Sequence, residues 1–276
     1  MKIETLPIFS AYPNANLVAY LHDEPTDAET KPRRAMVICP GGGYFALSWR
    51  EDEPVAHAWH GEGFQAFVLH YGIGEHARER EPLIQACLAI RHIREHAAEY
   101  NVDPAHIFIT GFSAGGHLAA SAGVFWDHEA VRAAFGEVPT HLGRPDGMVL
   151  CYPVITSGEH AHRGSFLNLA GKQASDEEQR QYSAEHFVSK TTPPAFLWHT
   201  ADDNCVPVEN SLLFASALSK HNVAFELHIY PHGPHGLSLC DERTWENNPA
   251  LLSPIAAGWF ALAARWAKEL GETDII

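Results

Sequence analysis

Short, continuous apolar runs recur along the chain: Ala35–Cys39, Phe64–Tyr71, Ile107–Ile109, Gly147–Tyr152 and Pro194–Thr200, each closed by glycine, proline or a polar turn. Runs of this kind are what strands covered on both faces of a parallel sheet present. Between them the apolar residues change period. Leu83, Cys87, Ile90 and Ile93 recur at three and four positions, which predicts a helix from Glu81 to Tyr100 lying on the sheet. Further helices are predicted over Arg50–Gly63, after Gly116 in HLAASAG, over Val208–His221, and from the Ser253-Pro254 start to Gly271, with Ile255, Trp259, Leu262 and Trp266 on one face. A last strand is predicted over Ala224–Tyr230. At the N-terminus two antiparallel strands, Lys2–Ile8 and Leu17–Leu21, flank the Tyr12-Pro13-Asn14 turn, and a polar loop follows over 23–34. Strand and helix alternate throughout, so the fold class is α/β, with a mostly parallel sheet of about eight strands flanked by helices in one domain over 1–276. Residues 155–190 break the rhythm. They are polar, carry a helix-capping pattern at Ser175-Asp176-Glu177-Glu178, and are expected to form a lid-like insertion at the carboxyl edge of the sheet.

Composition narrows the partners. Lys+Arg 19 against Asp+Glu 34 leaves a net charge of −15, which argues against nucleic acid or an anionic membrane surface. No apolar stretch approaches the roughly 18 residues of a membrane span. The N-terminal stretch lacks a basic segment followed by an apolar one, so the expected location is cytoplasmic. The composition is compatible with a homodimer. The five cysteines, 39, 87, 151, 205 and 240, are scattered and odd in number, which fits reduced thiols better than a disulfide framework. His92 and His96 stand four apart, but Ile93 occupies the place of the glutamate in H-E-x-x-H, so the pair reads as a helix face and no metal is expected.

The chemistry gathers where strands end. Ile107–Ile109 runs into Thr110-Gly111-Phe112-Ser113-Ala114-Gly115-Gly116 and then a helix, a strand–turn–helix pattern that places Gly111–Gly115 on the G-x-S-x-G nucleophile elbow. The pentapeptide alone would also suit a serine capping a helix. Pro40-Gly41-Gly42-Gly43-Tyr44 follows another buried strand and offers backbone amides at the same edge. Gly41-x-Gly43-x-x-Ala46 also fits a dinucleotide fingerprint, but the next strand ends in His70-Tyr71 where an acidic ribose ligand belongs, and that reading falls. After Thr200 come Asp202 and Asp203, and after Tyr230 come His232 and His235. A serine, an aspartate and a histidine thus follow three successive strands in the order Ser, Asp, His. Tyr44, Phe45, Trp49, Phe112 and Trp126 surround these loops, to stack on a ligand ring or to fill the core. Tyr44 and Phe112 are the candidate pocket residues.

Taken together, PGGGY at 40–44, REDEPVA at 50–56, NVDPAHIFITGFSAGGHLAA at 101–120, HTADDNCVPVENS at 199–211 and PHGPHG at 231–236 resemble the α/β-hydrolase superfamily, in its esterase/lipase branch of acetyl-esterase and acetylxylan-esterase-like proteins. The resemblance spans most of the sheet and omits 155–190. It implies an α/β-hydrolase fold and a serine hydrolase of short-chain, chiefly acetyl, esters of sugars or xylo-oligosaccharides, with no cofactor. It implies Ser113 as nucleophile, Asp203 as acid, since Asp203 stands four residues before Pro207, and the amides of Gly42, Gly43 and Ala114 as oxyanion donors. Both His232 and His235 fit the H-G position; His235 is favoured because His232 directly follows the proline closing the strand. Proline replaces the histidine of the HGGG-type loop. An amide hydrolase of formamidase or small-peptidase type, and a non-catalytic binding relative, remain the alternatives.

Overall fold

In the computed structural model, residues 1–23 and 31–271 are described, so most of the expected loop over 23–34 lies outside the described residues. The strands are β1 (Lys2–Leu6), β2 (Asn16–Leu21), β3 (Arg33–Cys39), β4 (Gln65–His70), β5 (Val102–Phe112), β6 (Gly147–Cys151), β7 (Ala195–Thr200) and β8 (Phe225–Tyr230). They form one sheet in the order β1-β2-β4-β3-β5-β6-β7-β8. β1 and β2 are antiparallel additions at one edge, and the pairings from β4 through β8 are all parallel. The apolar runs are buried for the reason their composition predicts. Met36 to Cys39, Phe67 to Leu69, and Ala195 to Trp198 are fully covered, because helices lie on both faces.

One face carries α2 (Glu81–Glu95), α3 (Ala114–Val124) and α7 (Glu209–Lys220), packed through Leu83, Ile90, Ile93, Leu118, Phe214 and Leu218. The other carries α1 (Glu53–Gly61) and α8 (Trp259–Glu269), packed through Val55, Trp59, Trp259 and Ala263. α4 (Glu129–Phe135) adds to the first face through Val131 and Phe135. α5 (Arg163–Ala170) and α6 (Asp176–Arg180) lie within the polar stretch 155–190, where Ser175 and Glu178 close a reciprocal capping box on α6.

Several boundaries differ from the expected ones. α1 starts at Glu53; residues Trp49–Glu51 form a separate 3₁₀ turn that carries Glu51 into the interior. α2 ends at Glu95, and the chain continues in turns to Asn101, whose left-handed backbone reverses it into β5. The pairing of β3 with β5 passes from Arg33–Val102 to Ala35–Ile107, a register shift at the start of β5. The C-terminal helix begins at Trp259. Ser253 does accept from the Ala256 amide, but the first turn is 3₁₀, and its tighter winding rotates Ile255 off the packed face to 71% exposure.

Trp259 stacks on Trp198 with ring centroids 5.2 Å apart and donates its indole N–H to the Ser238 carbonyl at 3.0 Å. Trp259→Ala is therefore expected to cost about 3–5 kcal/mol in denaturant unfolding, whereas Ile255→Ala stays within about 0.5 kcal/mol. Equal losses would mean that the helix starts where the Ser-Pro pair predicts.

Candidate active site

β5 delivers Ser113 to the carboxyl edge in a conformation few residues adopt. Its φ of 54° and ψ of −117° lie outside the regions open to ordinary side chains, a cost of about 1–3 kcal/mol that surrounding contacts must offset. The Ser113 amide donates to the Cys151 carbonyl, and the Ser113 carbonyl accepts from His117 and Val154. These bonds hold the turn while Oγ stands clear. Glycine is required two residues on: a Cβ at Gly115 would meet the Cys39 carbonyl oxygen at 2.1 Å. The same holds in the β3 loop, where Gly42 has φ +128° and a Cβ would meet the Ala46 carbonyl oxygen at 2.1 Å.

Ser113 Oγ lies 2.8 Å from His235 Nε2, and His235 Nδ1 lies 2.7 Å from Asp203 Oδ2. A carboxylate can only accept, so Nδ1 carries the hydrogen and Nε2 is free to take the serine's. Asp203 is fastened further: its Oδ1 accepts from the amides of Cys205 and Val206, both at 2.9 Å. Burial pushes its carboxyl up, but hydrogen bonds from His199, His235 and Val206 outweigh it and hold the group well below the usual carboxylate range. The competing pair is elsewhere. His232 Nδ1 bonds Asp202 Oδ2 at 2.9 Å on the exposed side of the loop, away from Ser113.

The cleft has a volume of about 380 Å³ and is lined by Gly42, Gly43, Ser113, His162, His235 and Arg50, among others. The amides of Gly42, Gly43 and Ala114 donate to no group among the described residues, and Ala114 opens α3, whose N-terminal end favours negative charge. The two candidate pocket residues do not line this cleft. Tyr44 is 1% exposed and donates its hydroxyl to His117 Nδ1 at 2.8 Å, and Phe112 is fully buried beneath Tyr152 and Trp259. Tyr44, at φ 60° in the turn after the glycines, packs against Tyr71 and His117, and Phe112, the last residue of β5, packs on the α8 side. Of the other aromatics, Trp126 packs on the core, while Phe45 and Trp49 are exposed.

Several residues around the site were not legible as a pattern. Glu51, 3% exposed, accepts from the Gly41 amide at 2.8 Å and from the Tyr152 hydroxyl at 2.6 Å. Tyr152 in turn accepts from the Ser238 amide at 2.8 Å, and its ring stands edge-on to His235 at 5.1 Å. One buried carboxylate thereby ties together the glycine loop, the end of β6 and the histidine loop. Nothing in R-E-D-E marks which acid turns inward. His199 is fully buried behind Asp203; its Nε2 donates to the Val206 carbonyl at 2.9 Å and Nδ1 accepts from Ser211 Oγ at 2.8 Å. His117 Nε2 donates to the Tyr182 carbonyl at 2.8 Å, so the insertion is stitched to α3. Burial pulls its imidazole down to about 4, against the bond to Tyr182 that favours the charged form.

Among the described residues no group of three metal-ligating side chains is assembled. His92 and His96 stack at 4.1 Å, and His92 Nε2 pairs with the Tyr100 hydroxyl at 2.9 Å. The cysteines at 39, 87, 151 and 240 are buried and free, and Cys205 is exposed at the cleft.

Two expectations follow from these contacts. Glu51→Ala strips two buried donors of their acceptor, at about 1–3 kcal/mol each; Glu51→Gln, able to accept one, loses less, and urea unfolding compares them. An imidazole held neutral to about pH 4 when folded but titrating near 6.5 when unfolded binds its proton only in the unfolded chain across that window. Stability must therefore fall on acidification from pH 6.5 to 4, by about 3 kcal/mol through His117 alone. His117→Gln should flatten that slope in unfolding curves recorded at pH 7, 5.5 and 4.5.

Comparison with known proteins places this geometry in a family. The BD-FAE family profile matches residues 24–218. The chain is 39% identical over 231 residues to an endo-1,4-beta-xylanase B of Butyrivibrio fibrisolvens, covering 83% of this chain and 35% of that one. It is 32% identical over 237 residues to an acetylxylan esterase of Xylanibacter ruminicola, covering 84% and 45%. It thus spans between a third and a half of the length of these curated relatives. Among solved structures, the acetyl ester-xyloside bifunctional hydrolase from Caldicellulosiruptor lactoaceticus superposes with a TM-score of 0.79 at 40% identity, over 96% of this chain and 92% of that one. No helix among the described residues is long and apolar enough to cross a membrane. With its profile match over 24–218 and its parallel sheet ending in a serine elbow, the chain belongs to the BD-FAE family and has the α/β-hydrolase fold of its esterase relatives.

Proposed function

We propose that this protein is a serine carboxylic-ester hydrolase that removes short acyl groups, acetyl above all, from sugars or xylo-oligosaccharides. The observation that carries the reading is the continuous hydrogen-bonded row from Ser113 Oγ through His235 to Asp203, opening on a cleft rimmed by uncommitted backbone amides. In this mechanism His235 Nε2 takes the Ser113 proton as Oγ attacks the ester carbonyl. Asp203 keeps the imidazole in its Nδ1–H tautomer and stabilises the charge it acquires. The carbonyl oxygen becomes an oxyanion among the amides of Gly42, Gly43 and Ala114, where each donor contributes about 2.7–4 kcal/mol in comparable sites. His235 then protonates the departing alcohol, and water, activated by the same imidazole, releases the acid from Ser113.

The choice of acyl and alcohol groups is supported by the relatives. One is named an acetylxylan esterase, another an acetyl ester-xyloside hydrolase, and a third a xylanase. A cleft of about 380 Å³ suits a small acyl group and one or two sugar rings better than a long acyl chain.

The test is hydrolysis of 4-nitrophenyl acetate, butyrate and octanoate, of 4-nitroacetanilide, and of acetylated xylo-oligosaccharides. Acetate should be the preferred acyl group and should be released from the oligosaccharide. Ser113→Ala should lower kcat by about 10⁵- to 10⁶-fold, and Asp203→Asn by about 10⁴-fold. Turnover that survives Ser113→Ala would remove the serine from its role. Anilide cleavage without ester cleavage would make the protein an amide hydrolase.

A further inference from the structure

His162 is the one imidazole lining the cleft, besides His235, that the acyl-transfer steps leave unused. It stands at the N-cap position of α5, and the face of that helix carrying residues 162, 165 and 168 rests on the glycine loop. Asn168 donates its side-chain N–H to the Gly43 carbonyl at 2.9 Å. The Ser165 hydroxyl and a ring carbon of His162 both lie 3.9 Å from where a Gly43 Cβ would stand. The ring is therefore held in fixed relation to the amides that would receive the oxyanion. Its Nδ1 is committed to Ser165 Oγ at 2.8 Å, and Ser165 is 1% exposed. Its Nε2 bonds no group among the described residues, although the ring is only half buried and lines the cleft.

The alcohol oxygen leaving the tetrahedral carbon on Ser113 must take a proton from His235 Nε2, so the alcohol half of an ester lies within reach of His235. His162 lines the same cleft as His235, near enough for the charge of one ring to act on the other. Burial first, and then the nearness of His235, lower its basicity against the opposing pull of Asp203, a net shift that favours the neutral ring. A neutral imidazole whose Nδ1 partner is a hydroxyl can exchange tautomers, because Ser165 is able either to donate or to accept. Nε2 then offers a donor or an acceptor as required. That chemistry matches an uncharged hydroxyl, itself both donor and acceptor, and gives no advantage to a carboxylate or an ammonium group.

We infer that His162 is a specificity-determining residue: its Nε2 hydrogen-bonds a free hydroxyl on the carbon adjacent to the esterified one, so that esters of vicinal diols, the local chemistry of an acylated sugar, are selected over esters of simple alcohols. The inference rests on the esterase reading of Ser113 but does not require a sugar as substrate.

The experiment compares kcat/KM for 2-hydroxyethyl acetate and ethyl acetate, which share an acyl group and differ by the one hydroxyl. The unmodified protein should favour the hydroxyethyl ester. In His162→Phe the ratio should fall about 3- to 10-fold, the worth of one neutral hydrogen bond. His162→Gln, which keeps a donor and an acceptor, should restore part of it. Ser165→Ala, nearly isosteric and leaving the imidazole in place but untethered, should lower the ratio less than His162→Phe does. Because a ratio is read, losses common to both esters cancel. A ratio near one in the unmodified protein, or a ratio that survives His162→Phe, overturns the inference while leaving ester hydrolysis intact. Failure to cleave either ester, together with 4-nitrophenyl acetate, overturns the esterase reading and this inference with it.

Discussion

Where α3 leaves β5, its first turn passes so close to the end of β3 that a Cβ at Gly115 would stand 2.1 Å from the Cys39 carbonyl oxygen. That approach of two backbones is what forces Ser113 into its positive φ and what brings the Gly41–Gly43 loop beside its hydroxyl. A strained residue persists only where its surroundings over-determine it. Here the bonds from Ser113 to Cys151 and Val154, at and just past the end of β6, and to His117 in the first turns of α3, do so. Relaxing the turn would break all three, and the strain is therefore retained.

The loops that meet at this point are not rigid in their own right, and a second set of polar contacts holds them. Glu51 is a carboxylate taken out of water, which is unfavourable unless every lone pair that loses a water finds a donor. It finds the Gly41 amide and the Tyr152 hydroxyl, and Tyr152 passes the linkage on to Ser238 in the histidine loop. Asp203 is treated in the same way. Its two oxygens collect the amides of Cys205 and Val206 and the ring of His235, with His199 packed behind. Buried acceptors of this kind give little net stability but strongly penalise any other arrangement of the loops.

The polar stretch 155–190 is bound into this framework. Asn210 of α7 receives the amides of Ile155 and Thr156 on its side-chain oxygen, His117 of α3 donates to Tyr182, and Arg80 reaches the Gln181 carbonyl while its guanidinium lies 4.6 Å from the rings of Phe125 and Tyr182. Asn168 completes the ring of contacts at Gly43. The segment that carries His162 is thus tied to the same loop that carries the Gly42 and Gly43 amides.

The sequence alone determined the strand order's raw material, the sheet's mostly parallel character, and the placing of a serine, an aspartate and a histidine after three successive strands. Those features are local: an apolar run, a glycine-forced turn and a period of three to four residues depend on a few neighbouring residues. The strand pattern did not separate Asp202 from Asp203, a choice that only the resemblance made, nor decide which aromatics face the cleft, because that is set by what lies across the sheet edge. Tertiary structure turned Tyr44 and Phe112 inward, left Asp202 and His232 paired in solvent, and drew Glu51 out of an ordinary acidic stretch into the interior. It likewise lifted His162 from a polar insertion with no periodicity of its own to the wall of the cleft. In each case the deciding contact joins residues far apart in the chain, 101 positions for Glu51 and Tyr152 and 125 for Asn168 and Gly43, a separation at which no pattern in either segment encodes the other.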